Sequence, residues 1–270
     1  MKDFSQIWVE MLVDIMANGN PVAPRGIPTK ELPQKTIEVD TRRPVLMIKE
    51  RGLNYQFMAA ETYWILSGDD RVKTIEPFNK NIAKYSDNGT TFFGAYGPKI
   101  IGQLDYVVDK LYKDVDSRQA GLTIWRENPP ITKDVPCTIA IFFNIRENHL
   151  NCHVFMRSSD VWLGVPYDVF TFSMLTHLVC AKLNELDSLN KIFPGRLFLT
   201  AASSHLYESN WAAVKEIIKE NLLMEITWSN NRITQPQTPS PLFVNSIMLM
   251  AMLQNLRVSV PGDNVRWWEK

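Results

Sequence analysis

The chain reads as a mixed α/β fold, and three stretches carry that reading. Thr138 to Met156 holds two runs rich in Ile, Phe and Val with a polar break at Glu147-Asn148. That is the pattern of two strands joined by a short turn. Val169 to Leu183 is too apolar for a surface helix and reads as a buried one. Phe4 to Met16 places apolar residues at 4, 7, 8, 11, 12, 15 and 16, the stripe of an amphipathic helix.

The remaining elements follow in order. Asn18-Gly19-Asn20-Pro21 ends the first helix, and Arg25-Gly26 lies in the next loop. Lys35 to Ile48 reads as strand, turn and strand, broken at Pro44. Asn54 to Leu66 is a helix with a broad apolar face that stops at Gly68. Asp69 to Tyr85 is a weaker helix, interrupted at Pro77. Gly94 to Gly97 is a turn-rich loop holding Tyr96, and Pro98 to Leu111 is an amphipathic helix. Ala120 to Trp125 and Leu197 to Thr200 read as strands, and Glu208 to Leu223 as a helix. A proline-rich connector, Gln235 to Pro241, leads to a Met-rich helix over Leu242 to Leu256.

Composition narrows the function classes. The 270 residues suit one domain over 1–270. Lys plus Arg and Asp plus Glu are 29 each, so no basic excess points to polymeric nucleic acid or an anionic membrane. Three cysteines without short metal-type spacing fit a reducing cytoplasm, and no metal is expected. His177 and Cys180 read as core residues, and Cys152 and His153 as strand packing. No apolar run reaches ~18 residues, the length of a membrane span. The start Met1-Lys2-Asp3-Phe4 lacks the pattern of a secretory signal. No glycine-rich nucleotide loop is visible.

Chemistry concentrates between Pro136 and Asp168. A thiol, Cys137, starts one strand, and Arg157 follows the next. A hairpin brings those ends together, which suits a nucleophile beside an anion clamp.

The ordered motifs here resemble the thymidylate synthase family. They are Glu61-Thr-Tyr-Trp-Ile-Leu-Ser-Gly68-Asp69, Gly94-Ala-Tyr96-Gly97 and Asp116-Ser117-Arg118-Gln119, then Pro136-Cys137, Arg157-Ser158-Ser159-Asp160-Val-Trp-Leu-Gly164-Val-Pro-Tyr167-Asp168, and Ser204-His205-Leu206-Tyr207. The resemblance covers roughly the first four-fifths of the chain, and the region from about 224 to 270 departs from it. It implies a mixed sheet packed on a long buried helix and a homodimer formed sheet against sheet. It implies a pyrimidine nucleoside monophosphate as substrate and 5,10-methylenetetrahydrofolate as one-carbon donor. It makes Cys137 the nucleophile, with Glu61 relaying protons and Tyr96 beside them. Arg157 and Arg25 would hold the phosphate, with Arg42 and Arg43 as competitors of Arg25. Arg118 would reach the partner's phosphate. Ser158 and Asp160 would position nucleotide and folate, and His205 and Tyr207 the sugar 3′-hydroxyl.

Two departures point to a particular branch. The family has Asn where this chain has Asp168, and the related deoxycytidylate hydroxymethylases of bacteriophages have Asp. A carboxylate accepts from the N4 amino group of cytosine, so dCMP is the favoured substrate, and a phage-borne chain would act in its host's cytoplasm. The second departure is the absence of the family's tryptophan near Asn81-Ile82-Ala83-Lys84-Tyr85. A more open site favours water over hydride, hence a hydroxymethyl product, with Glu61 as the carboxylate that activates the water. Tyr85, Phe92, Phe93, Trp267 and Trp268 are possible substitutes for that ring. The alternatives are a folate-dependent methylase of dCMP or dUMP, and a catalytically silent structural or RNA-binding homologue.

Overall fold

A computed structural model describes residues 2–231, with 222–231 described for the main chain alone. A seven-stranded mixed sheet organises them. The strands are β1 (Asn20–Val22), β2 (Thr29–Asp40), β3 (Gly121–Thr123), β4 (Thr138–Arg146), β5 (His149–Met156), β6 (Ser159–Asp160) and β7 (Phe193–Tyr207). Their order is β1-β2-β7-β5-β4-β3, with β6 paired to β7. All pairs are antiparallel except β5 with β7 and β6 with β7.

The helices are α1 (Phe4–Asn18), α2 (Tyr55–Leu66), α3 (Val72–Ile75), α4 (Tyr96–Lys113), α5 (Val165–Leu186) and α6 (Trp211–Asn231). Asp3 caps α1: its carboxylate accepts from Gln6 N while Gln6 Oε1 accepts from Asp3 N. α5 joins the parallel strands β5 and β7, and a parallel pair needs such a crossover. Twelve of its residues are buried, among them Val169, Phe172, Leu175 and Val179. They meet Ile141 and Phe143 of β4, Val154 of β5 and Leu199 of β7 in one apolar core.

The β4–β5 hairpin forms as its sequence predicts. Glu147 and Asn148 both take left-handed φ, 51° and 58°, which a two-residue turn of matching twist requires. The pairing sets Thr138 opposite Met156. Alternation then puts Cys152 into the core and His153 on the other face of β5. On that outer face Phe142, His153 and Phe198 stand in register across β4, β5 and β7. His153 stacks on Phe198 at 4.8 Å, and Phe142 meets Phe155 edge-on. Phe142 and Phe155 are 41% and 43% exposed, so the face is aromatic and open.

Three expectations need correction. Lys35 to Ile48 is not strand, turn and strand: β2 ends at Asp40, where Arg42 folds back onto the Asp40 carboxylate, and 44–48 runs on without strand pairing. Val45, Leu46 and Ile48 are buried there, so apolar content reflected burial and not a strand. The stretch from Asp69 to Tyr85 is three short pieces, α3 and two 3₁₀ turns over 76–78 and 80–85, because Pro77 cannot continue an α-helix. Tyr96 is the first residue of α4 and not part of a loop. The expectations for Gln235 to Pro241, Leu242 to Leu256, Trp267 and Trp268 lie outside the described residues.

Candidate active site

One end of the sheet collects most of the expected residues. Cys137 immediately precedes β4, and Arg157 immediately follows β5. β6 sets Ser159 beside Ser204 and Asp160 beside His205. β2 sets Thr29 beside Tyr207, which brings the preceding loop and Arg25 to the same end. Arg25 donates to the Tyr207 hydroxyl at 3.4 Å. Its φ is 55°, a left-handed conformation that costs a non-glycine residue of order 1 kcal/mol or more. Arg42 and Arg43 follow the far end of β2, whose 12 residues separate them from Arg25 by roughly 36 Å at about 3.3 Å per residue. Register thus puts Arg25, and not Arg42 or Arg43, at the end of the sheet that holds Cys137.

The thiol sits in a basic but enclosed niche. Arg157 Nη2 and Ser158 Oγ are each 3.6 Å from Cys137 Sγ. Arg157 also donates to the carbonyls of Pro136 and Val135, so it holds the approach to β4 as well. Burial pushes the Cys137 thiol above its ordinary value, and the Ser158 and Arg157 contacts only partly offset this. Arg157 does favour the thiolate, but in the ligand-free protein desolvation outweighs it. The Tyr96 hydroxyl accepts from Thr138 N at 3.1 Å, and its ring stacks on Phe172 of α5. Tyr96 is thus one residue from the thiol across that bond.

Two carboxyl groups face this niche from helices. Glu61 lies on α2 among buried Ala60, Thr62 and Trp64, and Thr62 bonds Thr171 of α5 at 2.8 Å. Burial and the nearby Asp168 push Glu61 up to about 8. Asp168 stands in the first turn of α5, where the helix dipole favours an anion. Burial, with a smaller contribution from the Asp160 charge, outweighs the dipole and pushes it up to about 7. Asp168 in turn raises both Tyr96 and Cys137, so its carboxyl shares one low-dielectric space with them.

Asp160 anchors the floor. Its Oδ1 accepts from Trp162 N and Leu163 N, each at 2.8 Å. Its Oδ2 is buried without a hydrogen-bond partner and lies 4.0 Å from His205 Nε2. An orphaned acceptor of this kind fits a donor brought by a ligand. Leu163 next to it is 54% exposed, an apolar surface beside that acceptor.

Arg118 is not at this end. It precedes the edge strand β3, which runs antiparallel to β4 with Gly121 opposite Phe142. Its neighbour Asp116 pairs with Arg146, the last residue of β4, at 3.7 Å. The length of β4 puts this corner roughly 26 Å from Cys137 at about 3.3 Å per residue. Arg118 is exposed and makes no hydrogen bond or ion pair among the described residues.

The proposed stand-ins for the missing tryptophan divide clearly. Phe92 is buried edge-on against Trp64, Tyr85 is 48% exposed under Lys84, and Phe93 lies between Lys99 and Arg126. One further residue at this end carries no mark in the sequence. Asp134, three positions before Cys137, accepts from Gly94 N at 2.7 Å. A lone aspartate in a polar loop gives no periodic signal that could have marked it.

The profile described as Thymidylate synthase matches residues 6–236. The chain is 30% identical over 234 residues to a protein named deoxyuridylate hydroxymethyltransferase of Bacillus phage SP01, covering 77% of this chain and 58% of that one. It is 35% identical over 157 residues to a protein of the same name from Delftia phage PhiW-14, covering 52% and 44%. It thus spans less than two thirds of either phage relative. It is 24% identical over 237 residues to the thymidylate synthase of Pseudomonas fluorescens (strain SBW25), covering 77% and 82%. Together with the mixed α/β sheet, these matches establish that the chain belongs to the thymidylate synthase family.

Proposed function

We propose that this chain transfers a one-carbon unit from 5,10-methylenetetrahydrofolate to C5 of dCMP, forming the 5-hydroxymethyl nucleotide through a Cys137 adduct. The observation that carries this reading is the common space of Cys137, Tyr96, Glu61 and Asp168. C5 of a pyrimidine is a weak nucleophile. Sulfur addition at C6 makes the ring enamine-like, so C5 can attack carbon. Cys137 forms that bond as the thiolate, its proton having passed to solvent. Glu61, still protonated at neutral pH, supplies a proton to the polar edge of the ring as negative charge develops there.

Arg25 and Arg157 hold the phosphate, and His205 and Tyr207 take the sugar hydroxyl. Ser158 holds the nucleotide beside the thiol, and Asp160, with its open Oδ2, accepts from the folate. That donor, when bound, supplies an electrophilic methylene group. The orphaned acceptor and the exposed Leu163 beside it fit such a polar-edged ring.

The homodimer belongs to this proposal. Arg118 stands free at the wrong end of its own sheet, and the open aromatic face around Phe142 and Phe155 fits a second copy. A two-fold axis through that face would carry Arg118 toward the partner's phosphate.

A second reading has dUMP as substrate. The two phage relatives carry deoxyuridylate in their names, and Asp168 near 7 is about half neutral at pH 7. A neutral carboxyl can donate to O4 and accept from N3–H of uracil. It can equally donate to N3 and accept from the amino group of cytosine. Once ionised it repels O4, whereas cytosine N3 can still hold a shared proton. The test is competition: equal dCMP and dUMP with methylenetetrahydrofolate at pH 8, products identified by mass. The proposal expects dCMP to gain CH₂O. Consumption of dUMP alone gives the second reading, and a gain of CH₂ with dihydrofolate makes the chain a methylase.

A further inference from the structure

The site holds a carboxylate that none of these steps uses. Asp134 Oδ2 accepts from Gly94 N, while Oδ1 makes no hydrogen bond among the described residues. The Gly94 and Asp134 backbones touch: a Cβ at Gly94 would sit 2.3 Å from the Asp134 carbonyl. Gly94 leads into Tyr96 and Asp134 into Cys137, so the contact joins the two segments that frame the thiol. The other side of Asp134 meets the stretch that lacks tryptophan. Asp87, just beyond the 80–85 turn, accepts from Thr132 Oγ1 and, at 3.0 Å, from Lys133 N, and Thr132 Oγ1 accepts from Asp134 N at 3.1 Å. Asp134 is therefore tied on one side to the segment that leads into Tyr96 and on the other, through Thr132, to Asp87 just past the turn that holds Ile82 and Ala83.

The two carboxyls already assigned serve the pyrimidine itself. Glu61 exchanges its proton with the polar edge of the ring. Asp168 is engaged with the base. Burial makes Asp134 more basic than an exposed aspartate, although the Gly94 N–H and Lys99 hold part of that back, and its charge is felt at the Cys137 thiol.

We propose that Asp134 is the general base for the water that adds to the pyrimidine's exocyclic methylene, a role that rests on the Cys137 reading given above. The water oxygen bonds to the methylene carbon and its proton passes to Asp134 Oδ1. The displaced π pair moves onto the C4–N3 side of the ring. It then returns to form the C5–C6 double bond as the C6–S bond breaks. Cys137 departs as thiolate and is reprotonated from the solvent-exchanged proton on Asp134. Carbon keeps its oxidation level, so no reductant is consumed.

The test uses full-length wild type, Asp134→Asn and Asp134→Glu with dCMP tritiated at C5 and methylenetetrahydrofolate. Tritium release in the first turnover reports formation of the methylene. Asp134→Asn should keep that burst within about threefold of wild type and form hydroxymethyl product ~10²-fold more slowly, the usual loss of a general base. The stalled methylene should be captured by added 2-mercaptoethanol as a thioether, and Asp134→Glu should regain part of the hydroxymethyl rate. If wild type makes hydroxymethyl-dCMP and Asp134→Asn makes it equally fast, only the Asp134 role fails. Loss of the tritium burst in both variants also overturns it, since the residue then acts before the methylene exists. If wild type yields methyl product with dihydrofolate, the hydroxymethyl reading fails and takes this role with it.

Discussion

Replacing Glu61 with glutamine should stabilise the protein at alkaline pH and change it little at acid pH. The fold holds this carboxyl at about 8 against an ordinary 4.5. Below 4.5 both folded and unfolded chains are protonated there, so no penalty exists. Above it the unfolded chain ionises freely while the folded one cannot, and stability falls until about pH 8. At about 1.4 kcal/mol per tenfold change in proton affinity, the full penalty is up to ~5 kcal/mol. The side chain is only partly enclosed and is coupled to Asp168, so ~2–4 kcal/mol is the working expectation. In urea, with m of about 3 kcal/mol/M, that is a midpoint rise of roughly 1 M at pH 8.5. The assay is urea unfolding of wild type and Glu61→Gln at pH 5 and 8.5. A gain of equal size at both pH values, or none at pH 8.5, would refute the assignment of a neutral buried Glu61. The stabilised variant should turn over more slowly, since it has lost its proton donor.

Two further predictions concern the base and the assembly. The wild-type preference for dCMP over dUMP should grow as pH rises through about 7, because Asp168 then ionises against O4. Asp168→Asn should move preference toward dUMP, with an uncompensated polar contact worth ~1–3 kcal/mol at stake. A preference that ignores both pH and this substitution removes Asp168 from base reading. Mixing Arg118→Glu chains with Cys137→Ser chains should restore activity that neither has alone, because one site of the mixed dimer has both residues intact. A fully active monomer in sedimentation and kinetics would contradict the shared site.

Much of this was legible because it is local. The β4–β5 hairpin follows from alternation and a two-residue turn, and that register alone brings Cys137 to Arg157. α5 was legible from its unbroken apolar run. Other features depend on distant pairing. Register between β2 and β7 separates Arg25 from Arg42 and Arg43, and no local pattern encodes it. The apolar residues of 44–48 imitate a strand because they are buried without one. The arginine beside the thiol is visible in sequence, while the desolvation that outweighs its effect arises only in the packed site. Asp134 was invisible for a similar reason: its importance comes from Gly94 and Asp87, segments that fold onto it from elsewhere.

The central claim is covalent chemistry at Cys137, and rapid quenching tests it most directly. Wild-type protein mixed with dCMP and methylenetetrahydrofolate should show, by mass after digestion, a nucleotide joined to the peptide containing Cys137. Cys137→Ser should show no such adduct and lose ~10³-fold or more in rate, as a weak hydroxyl replaces a thiol nucleophile. Near-normal turnover in Cys137→Ser, with no adduct in wild type, would contradict the account.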